Sequence, residues 1–285
     1  MPSIVSKKVL VISFVTALCL LGDSALYVLL PAQMDAFAVT PTGAGLILGI
    51  NRYVRVVTNS AAAWLIERIG IPIPVSFAIL MAGITTAAYG LFEGFWPLFI
   101  AHALWGVAWS ILRLCGYLTV FETAKGPTKG RSMGFLQSGS RAGSLLAVVS
   151  GGILADAIGV GEVFLVFGLL TFAGLALVPT FGKSDPLTKH QSSNQEVRHE
   201  ISGVPKKSTW ALYSMAFATW LVMPGMMVGI AAYLVSNKAP NGVEFLGVSL
   251  GVGALAGAVV AIRWLGDLFL GPVLGDVSDR VGRTR

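Results

Sequence analysis

Seven ionisable side chains interrupt stretches of sequence that are otherwise apolar: Asp23, Arg52, Arg55, Arg113, Arg141, Arg263 and Asp267. An ionised residue at the centre of a lipid bilayer costs about 2.5–3.5 kcal/mol on insertion scales, so such groups face a cavity or a partner. Five arginines against two aspartates leave an excess of positive charge. One chemistry this permits is recognition of an organic anion, because the guanidinium fork matches a carboxylate or a phosphate ester. The competing reading pairs these arginines with Asp23, Asp267, backbone carbonyls or acids elsewhere in the fold. Asp23 also has two readings. In apolar surroundings its carboxyl can carry a proton, whereas a neighbouring arginine holds it in a fixed ion pair.

Spacing groups these residues further. Arg52, Arg55 and Asn59 follow i, i+3, i+7 and share one helical face, with Asn51 beside them. Arg263 and Asp267 are four apart and can pair on one face. At ~1.5 Å per residue, Asp23, Arg52 and Arg141 fall near mid-depth, with Arg113 and Arg263 nearer one surface. His102 reads first as a polar packing residue and second as a cavity ligand. The sequence shows no metal-ligand cluster and no phosphate-cradling Gly-x-x-x-x-Gly-Lys loop. No cofactor, metal or enzyme activity is therefore expected.

The elements that must carry these residues are membrane helices. The 285-residue chain is 55% hydrophobic and only 12% charged, where a soluble domain carries about 25% charged residues. Residues 74–92 contain no charge at all. About 20 apolar residues in a helix cross a ~30 Å hydrocarbon core, and only a helix or a closed barrel satisfies its backbone there. The first block, 9–31, follows Lys7 and Lys8 but is too long for a signal core of roughly 7–15 residues. It reads as a true first span. Cys19 and Cys115 both lie inside spans, so no disulfide framework is expected.

Eight spans are predicted, over 9–31, 43–66, 74–92, 96–120, 132–156, 161–182, 209–235 and 246–272. Residues 1–182 form a six-helix bundle, 183–208 a polar linker, and 209–285 two helices and a loop that begin a second bundle. Lysine and arginine fix the orientation. Lys7, Lys8, Arg68, Lys125, Lys129, Arg131, the linker and the carboxyl terminus fall on one side, and only Lys238 falls on the other. By the positive-inside rule the basic side, the linker and the amino terminus are cytoplasmic. The same distribution accounts for a pI near 9.5 without a nucleic-acid partner. Gly139, Gly143, Ala147 and Gly151 in the fifth span, with Gly247, Gly251 and Gly257 in the eighth, read as close helix contacts of the small-xxx-small type.

The chain ends in Gly275-Asp276-Val277-Ser278-Asp279-Arg280-Val281-Gly282-Arg283-Thr284-Arg285. Placed just after a span, this resembles the cytoplasmic loop signature of the major facilitator superfamily, and six spans, a linker and further spans are also similar to that family. A degenerate copy, Ala63-Trp64-Leu65-Ile66-Glu67-Arg68-Ile69-Gly70, lies earlier. Positions 63, 67, 68 and 70 recur 212 residues on as 275, 279, 280 and 282. The same offset sets Asn51 opposite Arg263 and Arg55 opposite Asp267, as a parallel internal repeat requires.

The resemblance implies an all-α membrane bundle of twelve spans, of which this chain carries eight, truncated after the eighth. It implies secondary active transport of a small solute by alternating access, in symport or antiport with a proton or ion, across a plasma (inner) membrane. Spans 3 and 6 would lie outside the bundle. The charged spans would line a cavity holding Asp23, Asn51, Arg52, Arg55 and Asn59, together with His102, Arg113, Arg141, Arg263 and Asp267. Asp279, Arg280, Gly282 and Arg283, with Gly275, would gate the access states, and Glu67, Arg68 and Gly70 would do so more weakly. Two departures stand out. His102 occupies a place where the family often has arginine, and Ala147-Val148-Val149-Ser150-Gly151-Gly152 lacks the Gly-Pro pair of drug–proton antiporters. Export of hydrophobic drugs, a sensor and an inactive fragment remain the alternatives.

Overall fold

The computed structural model describes residues 5–124, 128–182, 227–245 and 248–262, with Trp210, Ser214, Met215 and Leu265 besides. Six helices come first: α1 Lys7–Ala32, α2 Pro41–Ile69, α3 Pro72–Leu91, α4 Phe95–Thr123, α5 Thr128–Ile158 and α6 Val160–Phe172. A 3-10 stretch, Ala173–Phe181, continues α6. After it come α7 Met227–Lys238, strands β1 Val243–Phe245 and β2 Val248–Leu250, and α8 Val252–Ile262.

Local chemistry explains where these helices begin and end. Ser6 caps α1 by accepting from the Val9 N–H, and Thr40 caps α2 by accepting from Gly43 N–H, with Pro41 in the first turn. Gly94 and Gly159, at φ +92° and +98°, make the tight reversals into α4 and α6. Ser6 Oγ donates to Thr123 Oγ1 at 2.9 Å, so α1 starts where α4 ends. This end, which also holds Arg68 and Arg131, is called the basic end below; the other is the far end.

Among the described residues, five helices are long and apolar enough to cross a membrane: α1, α3, α4, most of α5, and α6 with its 3-10 continuation. α2 is as long as α4 at 29 residues, and its interior Asn51, Arg52 and Arg55 set it apart in polarity. One difference from expectation concerns the last span. Its first residues pair as strand, Phe245 with Val248 and Val243 with Leu250, and the helix begins only at Val252. Gly242, at φ +76°, opens this hairpin. Lys183 to Ser208, Gly247 and everything from Gly266 onward lie outside the described residues, including Asp267, Gly275, Asp279, Arg280, Gly282 and Arg283. So does Arg263.

α1 is the central element, buried along most of its length and packed on α5. α2 packs on α4 and α3 on α6. Spans 3 and 6 turn Phe77, Leu80, Ile84, Leu169 and Leu170 outward, as lipid-facing surfaces do. The small residues of α5 are contact points. A Cβ on Gly139 would meet Ser13, and one on Gly151 would meet Ala25. At Gly143 it would lie 2.6 Å from the Ala17 Cα and 2.7 Å from its carbonyl oxygen. Backbone cannot step aside as a flexible side chain can. Gly143→Val is therefore expected to destabilise the protein by about 3 kcal/mol or more, read as loss of monodisperse protein on size exclusion and a lower Tm.

Candidate functional site

The interior polar residues meet where α1, α2 and α4 converge, in the half of the bundle nearer the far end. Two glycines permit the approach. A Cβ on Gly22 would collide with the Thr86 side chain, so α1 can reach α3 only with glycine there. A Cβ on Gly106 would stand 3.0 Å from the Asn51 carbonyl oxygen, so α4 lies directly against the α2 backbone. The residue after Gly22 is Asp23, and Asn51 is thereby brought to it.

Asn51 Nδ2 donates to Asp23 Oδ1 at 3.3 Å. His102 Nδ1 stands 4.0 Å from the same oxygen and 3.0 Å from the Tyr89 hydroxyl. Asp23, Asn51, Tyr89 and His102 are all buried. Four residues from four helices thus form one continuous polar cluster around a single carboxylate. Tyr27, one turn beyond Asp23, donates to the Leu48 carbonyl at 3.2 Å and meets the His102 ring edge-on. His102 stacks on Trp105, which stacks on Trp109. Among the described residues, Asn51 Oδ1, His102 Nε2 and Trp105 Nε1 are buried without a hydrogen-bond partner. Buried polar atoms are normally paired, so these three mark a region with spare hydrogen-bonding capacity.

Two arginines border the cluster. Arg52 lies over the Tyr27 ring at 5.7 Å, and Arg55 Nε donates to the Asn51 carbonyl oxygen at 3.2 Å. Both are partly buried, and neither forms an ion pair among the described residues. The shared helical face expected of Arg52 and Arg55 is present; Asn59, farther along α2, is exposed.

The other sequence-predicted residues lie apart. Arg113 is exposed toward the basic end, where its Nε donates to the Tyr117 hydroxyl at 3.0 Å. Gln137 Nε2 donates to the same hydroxyl at 3.3 Å, tying α4 to α5. Arg141 is partly buried on α5. In the degenerate loop, Arg68 stacks on Trp64 at 4.1 Å, and Gly70 ends α2 at φ +77°. Glu67 is exposed.

Tyr27, Tyr89 and Trp105 were not legible as site residues. Tyr27 follows Asp23 by four and Trp105 follows His102 by three, a helical spacing that could have flagged both. Tyr89 carries no such signal, because only the α3–α4 packing sets it against His102.

Comparison with known proteins bears on this arrangement. The family profile of the Major Facilitator Superfamily matches residues 12–285. The chain is 24% identical over 260 residues to "Multidrug resistance protein MdtG" of Escherichia coli O6:K15:H31, covering 89% of this chain and 61% of the relative. The same protein from Escherichia coli K12 matches equally. The chain thus spans about 61% of the length of the curated relatives it matches. In fold it is similar to a peptide transporter solved with sulfate, at a TM-score of 0.67 and 14% identity, covering 98% of this chain and 70% of that one. A D-xylose-proton symporter aligns at a TM-score of 0.62 and 15% identity, covering 95% and 68%. Bundle, interior polar cluster and a profile match across nearly all of its length agree: this chain belongs to the Major Facilitator Superfamily.

Proposed function

We propose that the chain is the larger part of a secondary transporter that moves a small solute by alternating access between two helical sets. Residues 1–182 form the first set, 183–208 the cytoplasmic linker, and 209–285 the start of the second. The protein lies in the plasma (inner) membrane with its amino terminus cytoplasmic, since the basic end collects nearly all loop lysines and arginines. The family is one of transporters rather than enzymes.

The single observation that carries the reading is the buried carboxylate of Asp23, joined to Asn51 and close to His102, with Arg52 and Arg55 alongside. Only an interior used for something repays the cost of burying such groups in a lipid-embedded bundle. Asp23 is the coupling residue in this proposal. His102 and Tyr89 hold and orient it, and Arg52 and Arg55 attract an organic anion. Asn59, Arg113, Arg141, Arg263 and Asp267 extend the polar lining. Glu67, Arg68 and Gly70, with Gly275, Asp279, Arg280, Gly282 and Arg283, bias the access states at the basic end.

A second reading, export of hydrophobic compounds, is favoured by the aromatic run His102–Trp105–Trp109 and by the name of the MdtG relatives. Full-length protein in proteoliposomes decides between them. Under an imposed pH gradient, concentration of a small carboxylate or phosphate ester against its own gradient supports the first reading. Movement of a cationic dye with no anion transport supports the second, and no flux of either sinks the transporter reading.

A further inference from the structure

Asp156 stands in the last turn of α5, where the negative end of a helix dipole disfavours an acid. Its partner explains the placement. The two carboxylate oxygens accept the N–H groups of Gly253 at 3.0 Å and Ala254 at 2.7 Å, in the first turn of α8. The first four N–H groups of a helix have no partner within it, and the amino terminus carries partial positive charge. Asp156 therefore caps α8 from a different helix, across the boundary between the first six helices and those after the linker.

Small residues make the fit. A Cβ on Gly251 would meet the Asp156 carboxylate. One on Gly253 would lie 2.9 Å from both Asp156 Oδ1 and the Gly152 carbonyl oxygen, and one on Gly257 would meet the Val148 carbonyl. Val28 and Val148 pack with Ala256 and Val260 beside this line. Of the paired glycines Gly151 and Gly152, one faces α1 and the other faces α8.

We propose that Asp156 and the amino terminus of α8 form a latch that holds the far end closed, and that opening this end requires its release. The proposal rests on the alternating-access reading. Parting α5 from α8 breaks both hydrogen bonds, but Asp156 is already exposed, so water solvates the freed groups. The latch is a bias between states rather than a lock.

The test uses full-length protein in nanodiscs, with spin labels at Ala157→Cys and Asn241→Cys, both exposed positions. Cys19 and Cys115 are buried and stay unlabelled. Electron–electron distance measurement is expected to show a short, closed population in the parent protein. Asp156→Ala should raise the ratio of long to short distances about two- to tenfold. Asp156→Asn, which keeps an acceptor oxygen without the charge, should raise it less. Gly253→Ala, whose methyl wedges the contact while Asp156 itself stays unchanged, should shift it in the same direction and carries the test if Asp156→Ala does not fold. An unchanged ratio in the folded variants, or no short population in the parent, overturns the latch. Distances report opening whether or not any solute moves, so failure here is distinct from failure of the transport reading.

Discussion

Asp23→Asn is expected to abolish accumulation driven by a pH gradient while leaving downhill exchange of substrate intact. One coupled proton across a gradient of one pH unit supplies about 1.4 kcal/mol, or roughly tenfold accumulation. Asparagine matches aspartate in size and still accepts from Asn51 Nδ2, so the cluster around Tyr89 and His102 keeps its shape. What it loses is the ability to take up and release a proton. The accumulation ratio should therefore fall from about tenfold per pH unit to about one, while radiolabelled substrate still exchanges between equal pools. Continued pH-driven concentration by Asp23→Asn would remove Asp23 from the coupling role. Loss of exchange together with accumulation would make it a binding or structural residue instead. His102→Gln separates these further, because it removes a ring that contacts Tyr27, Tyr89 and Trp105 but leaves the carboxylate in place.

Replacing both Arg52 and Arg55 with glutamine is expected to raise the KM for an anionic substrate about 10- to 100-fold. A hydrogen bond to a charged group contributes about 1.5–3 kcal/mol, and a guanidinium offers two such bonds in one plane. The present contacts of these arginines, a ring face and a backbone carbonyl, are ones that an incoming anion can supplement. Glutamine keeps the length and polarity while removing the charge. Transport of the anion should weaken far more than that of a neutral analogue, measured side by side in the same vesicles. Equal losses for both would show that the arginines shape the cavity or stabilise Asp23 rather than select charge. No loss for any anion would sink the anion reading.

The membrane-spanning character, the helix order and the polarity of the two ends were determined by sequence, because lipid imposes its demands residue by residue. A span must be apolar for about 20 residues, and loop charge records the side on which it rests. The positions of α1 to α6 follow the apolar blocks closely for that reason. The helical face shared by Arg52 and Arg55 was equally legible, since 3.6-residue periodicity is a local property. The expected repeat of Asn51 with Arg263 and of Glu67 with Asp279 has its second half outside the described residues.

Tertiary packing alone decided which polar residues meet. Asp23, Asn51, Tyr89 and His102 come from four helices, and their contacts depend on close approaches at Gly22 and Gly106. A glycine in sequence announces that two backbones can come close, but not which neighbour will do so. The glycines of α5 were correctly read as packing residues, yet their division between α1 and α8 was not visible. The role of Asp156 was hidden for the same reason. It caps a helix that begins 96 residues later, and that beginning was itself misplaced, because an apolar run reads alike as strand and as buried helix. Periodicity assigns each residue to a face of its own helix; only the assembled bundle assigns that face to a partner.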